Sequence, residues 1–124
     1  EIIEGDVCAY DFRTHGGRVS VIFGGPPCQP FSVGGKHLGH TDARNMFPEA
    51  VRAIREIRPL AFVFENVKGL LRPSFSNYYN YIIHQLRYPE IGLRGDEEWV
   101  DHLARLERLH TSGRDAGLHY NVVY

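Results

Sequence analysis

The chain has 124 residues, of which 43% are apolar and 23% charged, with 14 Lys and Arg against 15 Asp and Glu. These proportions fit one globular domain and exclude collagen-like, coiled-coil and strongly disordered chains. The net charge of −1 is evenly spread, seven basic and seven acidic side chains in residues 1–62 and seven and eight in residues 63–124, so composition supplies no basic stripe for neutralising nucleic-acid phosphates.

In chain order, Val19-Ser20-Val21-Ile22-Phe23 is a short apolar, β-branched run ended by Gly24-Gly25-Pro26-Pro27, which neither strand nor helix passes through; it predicts a buried strand entering a tight loop. Phe47 to Ile57 places Phe47, Ala50, Val51, Ile54 and Ile57 at helical spacing, with Pro48 suited to a first turn. Leu60-Ala61-Phe62-Val63-Phe64, closed by Glu65-Asn66, predicts a second strand. Both runs lack polar alternation, as strands covered on both faces of a parallel sheet do. Strand, helix and strand follow at the length a right-handed crossover requires.

A further helix is expected from about residue 77 to 87, with Tyr78, Tyr81, Ile82, Gln85 and Leu86 on one face, and another from 96 to 110, where Trp99, Leu103, Leu106 and His110 recur at helical spacing and acidic residues favour the start. The last six residues, His119 to Tyr124, form a third strand candidate. The fold class is α/β with a mostly parallel sheet, here incomplete.

Ligand sites of open α/β sheets lie beyond the carboxyl ends of the strands, and both predicted strands end in unusual chemistry. The first delivers Gly24-Gly25-Pro26-Pro27-Cys28-Gln29-Pro30-Phe31-Ser32, where three prolines fix φ and two glycines permit close approach to the backbone, so Cys28 is presented rather than packed. The second delivers Glu65-Asn66-Val67 straight from five apolar residues, a partly desolvated setting that favours the neutral acid. A thiol and a protonatable carboxyl at neighbouring strand ends suggest covalent catalysis with a general acid. Cys8 has no such surroundings and reads as a small buried hydrophobe. Two cysteines are too few for the disulfide framework of a small secreted domain, which points to a reducing compartment. The seven histidines lack Cys/His ligand spacing, so no metal is expected. No apolar run approaches the ~18 residues of a membrane span and no charged-then-apolar stretch precedes a small-residue cleavage site in these residues, so no membrane partner is expected. The chain opens on Glu1 and its one Met is Met46, which predicts an interior or processed piece.

Gly-Gly-Pro-Pro-Cys-Gln-Pro-Phe-Ser at 24–32 followed by Phe-Glu-Asn-Val at 64–67 closely resembles the DNA (cytosine-5)-methyltransferase family of bacterial modification enzymes. Glu4-Gly5-Asp6-Val7 resembles the family's acidic motif ahead of the cysteine loop, and Asp42 to Glu49 its Asp-x-Arg segment, one residue shorter between Arg and Phe than the commoner form. Gly117 to Val122 resembles the strand that introduces its later motifs, while residues 90–116 read as a variable insertion.

The resemblance implies a Rossmann-like, S-adenosylmethionine-dependent methyltransferase fold, with residues 1–124 part of its catalytic domain and a double-stranded DNA substrate. Cys28 would be the nucleophile adding to C6 of cytosine, and Glu65 the acid donating at N3, on a base flipped out of the duplex. Asp6 would accept a hydrogen bond from the adenine amino group of S-adenosylmethionine, beside Val7, Pro27 and Gly25. The resemblance also implies that Gln29 and Ser32 sit on the loop that closes over the nucleotide, Ser32 as a phosphate contact, and that Asn66 orients that loop through backbone hydrogen bonds. Arg44 reads either as a phosphate contact or as the ion-pair partner of Asp42 or Glu49. Asp6 on its own has a second, lesser reading as a turn or capping residue beside Gly5.

The Phe-x-Gly-x-Gly cofactor motif, the Gln-x-Arg-x-Arg motif and the sequence-reading domain of the family have no counterpart in the 124 residues. The piece is therefore expected to be inactive alone and to need the remainder of the enzyme or a second chain. A cognate restriction endonuclease and a bacterial cytoplasmic setting follow from the same resemblance. Two other readings remain: a non-catalytic or complementing subunit, and an α/β thiol hydrolase, which would want a His base near Cys28.

Overall fold

The structure is a computed structural model, and it describes residues 2–27 and 45–124. Two strands, β1 (Val21–Gly24) and β2 (Ala61–Phe64), pair in parallel with Val21 opposite Ala61 and Gly24 opposite Phe64. Helix α1 (Phe47–Ile57) lies between them in sequence, with Pro48 in its first turn, where the missing N–H costs no hydrogen bond. It ends at Arg58 in the left-handed region, φ 55°, whose N–H bonds back to Ile54. Helices α2 (Ser76–Arg87) and α3 (Trp99–Ser112) follow.

The core is built where these helices meet one face of the sheet. Ile54 and Leu106 are fully buried, and Val51, Tyr78, Tyr81, Ile82 and Leu86 are buried around them. Ile22, Phe62 and Phe64 pack onto this cluster from the sheet. Trp99 meets the rings of Tyr78 and Tyr81, each at 5.6 Å between centroids, so the α3 helix covers α2. Inside that seam the Tyr81 hydroxyl lies 2.8 Å from His102 Nδ1, and His102 Nε2 lies 2.8 Å from the Ile91 carbonyl. The Ile91 carbonyl can only accept, so Nε2 carries the proton and Nδ1 receives the Tyr81 O–H. Arg105 holds the approach to α3 by donating to both carboxylate oxygens of Glu97 and to the Gly92 carbonyl. Its hydrogen bonds hold Glu97 down at about 2.

Three expectations are corrected. Among the described residues the strands are covered on one face only: Ile22, Phe62 and Phe64 face the helices, while Phe23 is 75% exposed, Val63 54% and Val21 41%. The α3 helix begins at Trp99 rather than residue 96, because Glu97 is drawn into the Arg105 pair and the chain at Glu98 is extended, φ −72° and ψ 150°. Residues 119–124 are not a strand; the Tyr120 N–H bonds the Arg87 carbonyl at the end of α2, and its hydroxyl bonds Pro59. That backbone serves the end of a helix instead of a sheet edge. Among the described residues no helix is long and apolar enough to cross a membrane.

Candidate active site

Parallel pairing brings the carboxyl ends of β1 and β2 to the same edge of the sheet. The ladder continues one step beyond it, since the Glu65 N–H donates to the Gly24 carbonyl at 2.9 Å. Gly24 lets the Phe64 ring pack close to the backbone there, because a Cβ would sit 3.3 Å from that ring and the ring would have to shift. At the next position a Cβ on Gly25 would lie 3.5 Å from Glu65 Oε2, so the carboxylate stands directly beside the Gly25 backbone.

Two hydrogen bonds then hold the chain on its way to the cysteine. Asn66 Nδ2 donates to the Pro26 carbonyl at 2.8 Å, and the Met46 N–H donates to the Pro27 carbonyl at 3.0 Å. Pro26 and Pro27 have no N–H of their own and fixed φ, so their carbonyls are the handles by which neighbouring elements can grip this segment. Cys28, Gln29, Ser32 and Arg44 lie outside the described residues. Glu65 is exposed, which corrects the partly desolvated setting expected for it. Its place at the strand end leaves the carboxylate facing outward, since the five apolar residues before it bury only one face.

Asp6 caps the 3-10 turn Val7–Ala9, its Oδ1 accepting from the Cys8 N–H at 2.9 Å. Asp6 and Val7 are both exposed. Cys8 is exposed too, which corrects its expected burial. Local desolvation and then the Asp6 carboxylate hold its thiol above the ordinary value, and a protonated thiol is a poor nucleophile.

Arg52 is the residue that the sequence reading missed. From α1 it donates to the carbonyls of Val7 and Tyr10, both at 2.8 Å, and pairs with Glu49 and Glu56 at 2.6 and 3.2 Å. Burial opposes its charge, but the hydrogen bond and charge of Glu49 outweigh that and hold the guanidinium above its ordinary value. Glu49, one candidate partner for Arg44, is thus engaged by Arg52. The spacing Glu49, Arg52, Glu56 was visible in the sequence as a helical ion-pair pattern, but its reach to Val7 was not.

The family whose sequence profile matches is described as C-5 cytosine-specific DNA methylase, and the match spans residues 1–90. The chain belongs to the C-5 cytosine-specific DNA methylase family. It is 45% identical over 94 residues to the Type II methyltransferase M.NgoMIV of Neisseria gonorrhoeae, covering 76% of this chain and 29% of that protein. With the Type II methyltransferases M.PspPI of a Psychrobacter strain and M.Eco47II of Escherichia coli it shares 50% over 70 residues and 48% over 71. Each of these two matches covers 56% of this chain and 17% of the relative. The chain therefore spans less than a third of the curated relatives it matches. No solved structure matches it.

The matched span of this C-5 cytosine methylase family member holds Asp6, the Gly24–Ser32 segment and Glu65-Asn66, while α3 and the C-terminal residues lie beyond it. Among the described residues no group of three or more His, Cys, Asp or Glu is placed to hold a metal ion.

Proposed function

We propose that this chain is part of the catalytic domain of a DNA (cytosine-5)-methyltransferase from a restriction-modification system. Its sheet would be completed to a Rossmann-like fold by further polypeptide, in the same chain or a second one, which also supplies the remaining cofactor and sequence-reading motifs. Residues 90–116 are then a variable insertion, and the setting is bacterial cytoplasm with a cognate endonuclease. The observation that carries the reading is the strand-end pair: Glu65 hydrogen-bonded to Gly24, with Asn66 gripping Pro26 two residues before Cys28.

That arrangement suits covalent activation of a flipped cytosine. The Cys28 thiolate attacks C6, forming the C–S bond while the C5–C6 π pair moves into the ring toward N3. Glu65 donates a proton there and neutralises the developing charge. An exposed carboxylate beside the glycine backbone is reachable by a base that enters from outside the sheet edge. Asn66 holds the Pro26 peptide so that the loop carrying Cys28, Gln29 and Ser32 starts from a fixed point. Once C5 carries the methyl group, a base takes the C5 proton, the C–S bond breaks by β-elimination to release Cys28 as thiolate, and the N3 proton returns to Glu65.

S-adenosylmethionine, when bound, supplies the methyl group for C5. The residues present fit its adenine: a carboxylate offers about four lone-pair sites, and capping the Val7–Ala9 turn uses one oxygen of Asp6, leaving acceptor capacity for the amino group. Val7, Pro27 and Gly25 would line the ring.

The test is covalent trapping. Intact protein with S-adenosylmethionine and duplexes carrying 5-fluorocytosine forms a stable protein–DNA adduct, because fluorine cannot leave as the C5 proton does, and the adduct is absent in Cys28→Ser. Wild-type protein that forms no adduct on site-rich DNA contradicts the reading and favours a non-catalytic, complementing subunit.

A further inference from the structure

We infer that Arg52 is the positioning residue of the cofactor pocket: from α1 it fixes the backbone of the Val7–Ala9 turn and thereby the aim of Asp6. The inference rests on the proposed role of Asp6 toward adenine and extends it to a residue on a different element.

Among the described residues the turn has little else to place it. It has no buried residue, and Asp6, Val7, Cys8 and Ala9 are all exposed. Its own hydrogen bonds, Ala9 N–H to Asp6, Tyr10 N–H to Val7 and Cys8 N–H to the Asp6 side chain, define its shape but not its location. Location comes from Arg52, whose Nη2 donates to the Val7 carbonyl and Nη1 to the Tyr10 carbonyl, gripping both ends of the turn. These contacts join residues 45 and 42 positions apart.

The grip is itself braced. Nε and Nη2 reach Glu49 at 2.7 and 2.6 Å, Nη1 reaches Glu56 at 3.2 Å, and the guanidinium carbon lies 4.7 Å over the Phe12 ring. Four of the guanidinium N–H groups thus donate to four different residues, and a planar fork is the one side chain that can serve two carbonyls and two carboxylates together. The α1 helix is rooted in the core by Val51 and Ile54 on either side of this residue's neighbours. The chain of support therefore runs from the core through α1 and Arg52 to the Val7 carbonyl, one residue from Asp6. A lysine cannot reproduce it, having one point charge for four acceptors.

The test compares Arg52→Lys, Arg52→Ala, Asp6→Ala and the double variant of Asp6→Ala with Arg52→Lys in the intact protein. The readouts are equilibrium S-adenosylmethionine affinity by calorimetry, thermal unfolding, and KM against kcat for methyl transfer. Loss of a charged hydrogen-bonding brace corresponds to about 10- to 100-fold in affinity. Arg52→Lys is expected to weaken cofactor binding by that range, to raise the KM for S-adenosylmethionine more than it lowers kcat, and to add little on top of Asp6→Ala, since both act through one contact. Arg52→Lys serves where Arg52→Ala fails to fold, since it keeps the charge between Glu49 and Glu56. A folded Arg52→Lys protein with wild-type cofactor affinity, or fully additive effects in the double variant, overturns the inference. Asp6→Ala with unchanged affinity in an active enzyme removes both the Asp6 role and this inference while leaving cytosine methylation standing. An inactive wild-type protein without a 5-fluorocytosine adduct removes the proposed function and the inference with it.

Discussion

The α2–α3 seam and the carboxyl edge of the sheet are built on opposite principles. At the seam, Tyr81, Ile82, His102 and Leu106 are all at most 2% exposed, and the buried polar atoms of Tyr81 and His102 answer one another. At the edge, Gly25, Pro27 and Glu65 are exposed, and order comes from single hydrogen bonds to peptide carbonyls. Burial stabilises in proportion to area removed from water, so the seam carries stability, while the edge keeps polar groups accessible to something that arrives. Under the proposed function, the contrast means that stability and chemistry can be damaged separately in this chain.

The largest effect on stability is expected from Leu106→Ala or Ile54→Ala, each fully buried. Either should cost about 2–5 kcal/mol of unfolding free energy in denaturant titrations; a cost under about 1 kcal/mol would mean that the helices do not form the core. Next comes His102→Ala, which strands the Tyr81 hydroxyl and the Ile91 carbonyl and should cost about 1–3 kcal/mol.

A pH titration sharpens the same contrast. Burial first, with the Arg105 charge, keeps His102 below its ordinary value of 6.5 despite the Ile91 carbonyl and Glu97, and burial with Arg87 and His110 does the same to His84 against Glu107. The unfolded chain then binds protons more readily than the folded one, so this contribution is fully present above pH 6.5 and is lost as pH falls through the depressed folded values. Melting temperature should fall below pH 6.5, less steeply in His102→Gln; an equal slope in that variant would remove His102 from the explanation. The smallest effect is expected at the uncovered sheet face, where Phe23→Thr in the isolated chain should stay within about 0.5 kcal/mol of wild type because Phe23 is largely exposed.

What could be read from the sequence follows the same division. Helix α1 has the bounds that periodicity predicts, and Tyr78, Tyr81, Ile82 and Leu86 sit in the core as their spacing on α2 implies. The strands are also legible, but β1 starts at Val21 and takes in Gly24, the first of the residues expected to end it, because Gly24 still pairs with Phe64. What failed depended on partners that local pattern does not name. Continuous apolarity in β1 and β2 signals two covered faces, yet only one is covered in the described residues. The last six residues have strand composition but bond to Arg87 and Pro59. The Tyr81–His102 pair and the Arg52 grip span 21 to 45 positions, beyond any helical or strand period. In the candidate site, the sequence motifs named Glu65, Asn66 and Asp6, and the geometry added Arg52, which holds the Val7 and Tyr10 carbonyls beyond Asp6.

The most direct measurement is Glu65→Gln in the intact protein, with thermal unfolding and methyl transfer from S-adenosylmethionine to DNA read on the same sample. An exposed residue at the strand end should leave the melting temperature within about 2 °C of wild type, while loss of the proton donor lowers the rate by about 10²–10⁴-fold. Methyl transfer that survives the substitution at the wild-type rate, or a rate that falls only as far as folded protein is lost, would contradict the separation of chemistry at the sheet edge from stability at the helical seam.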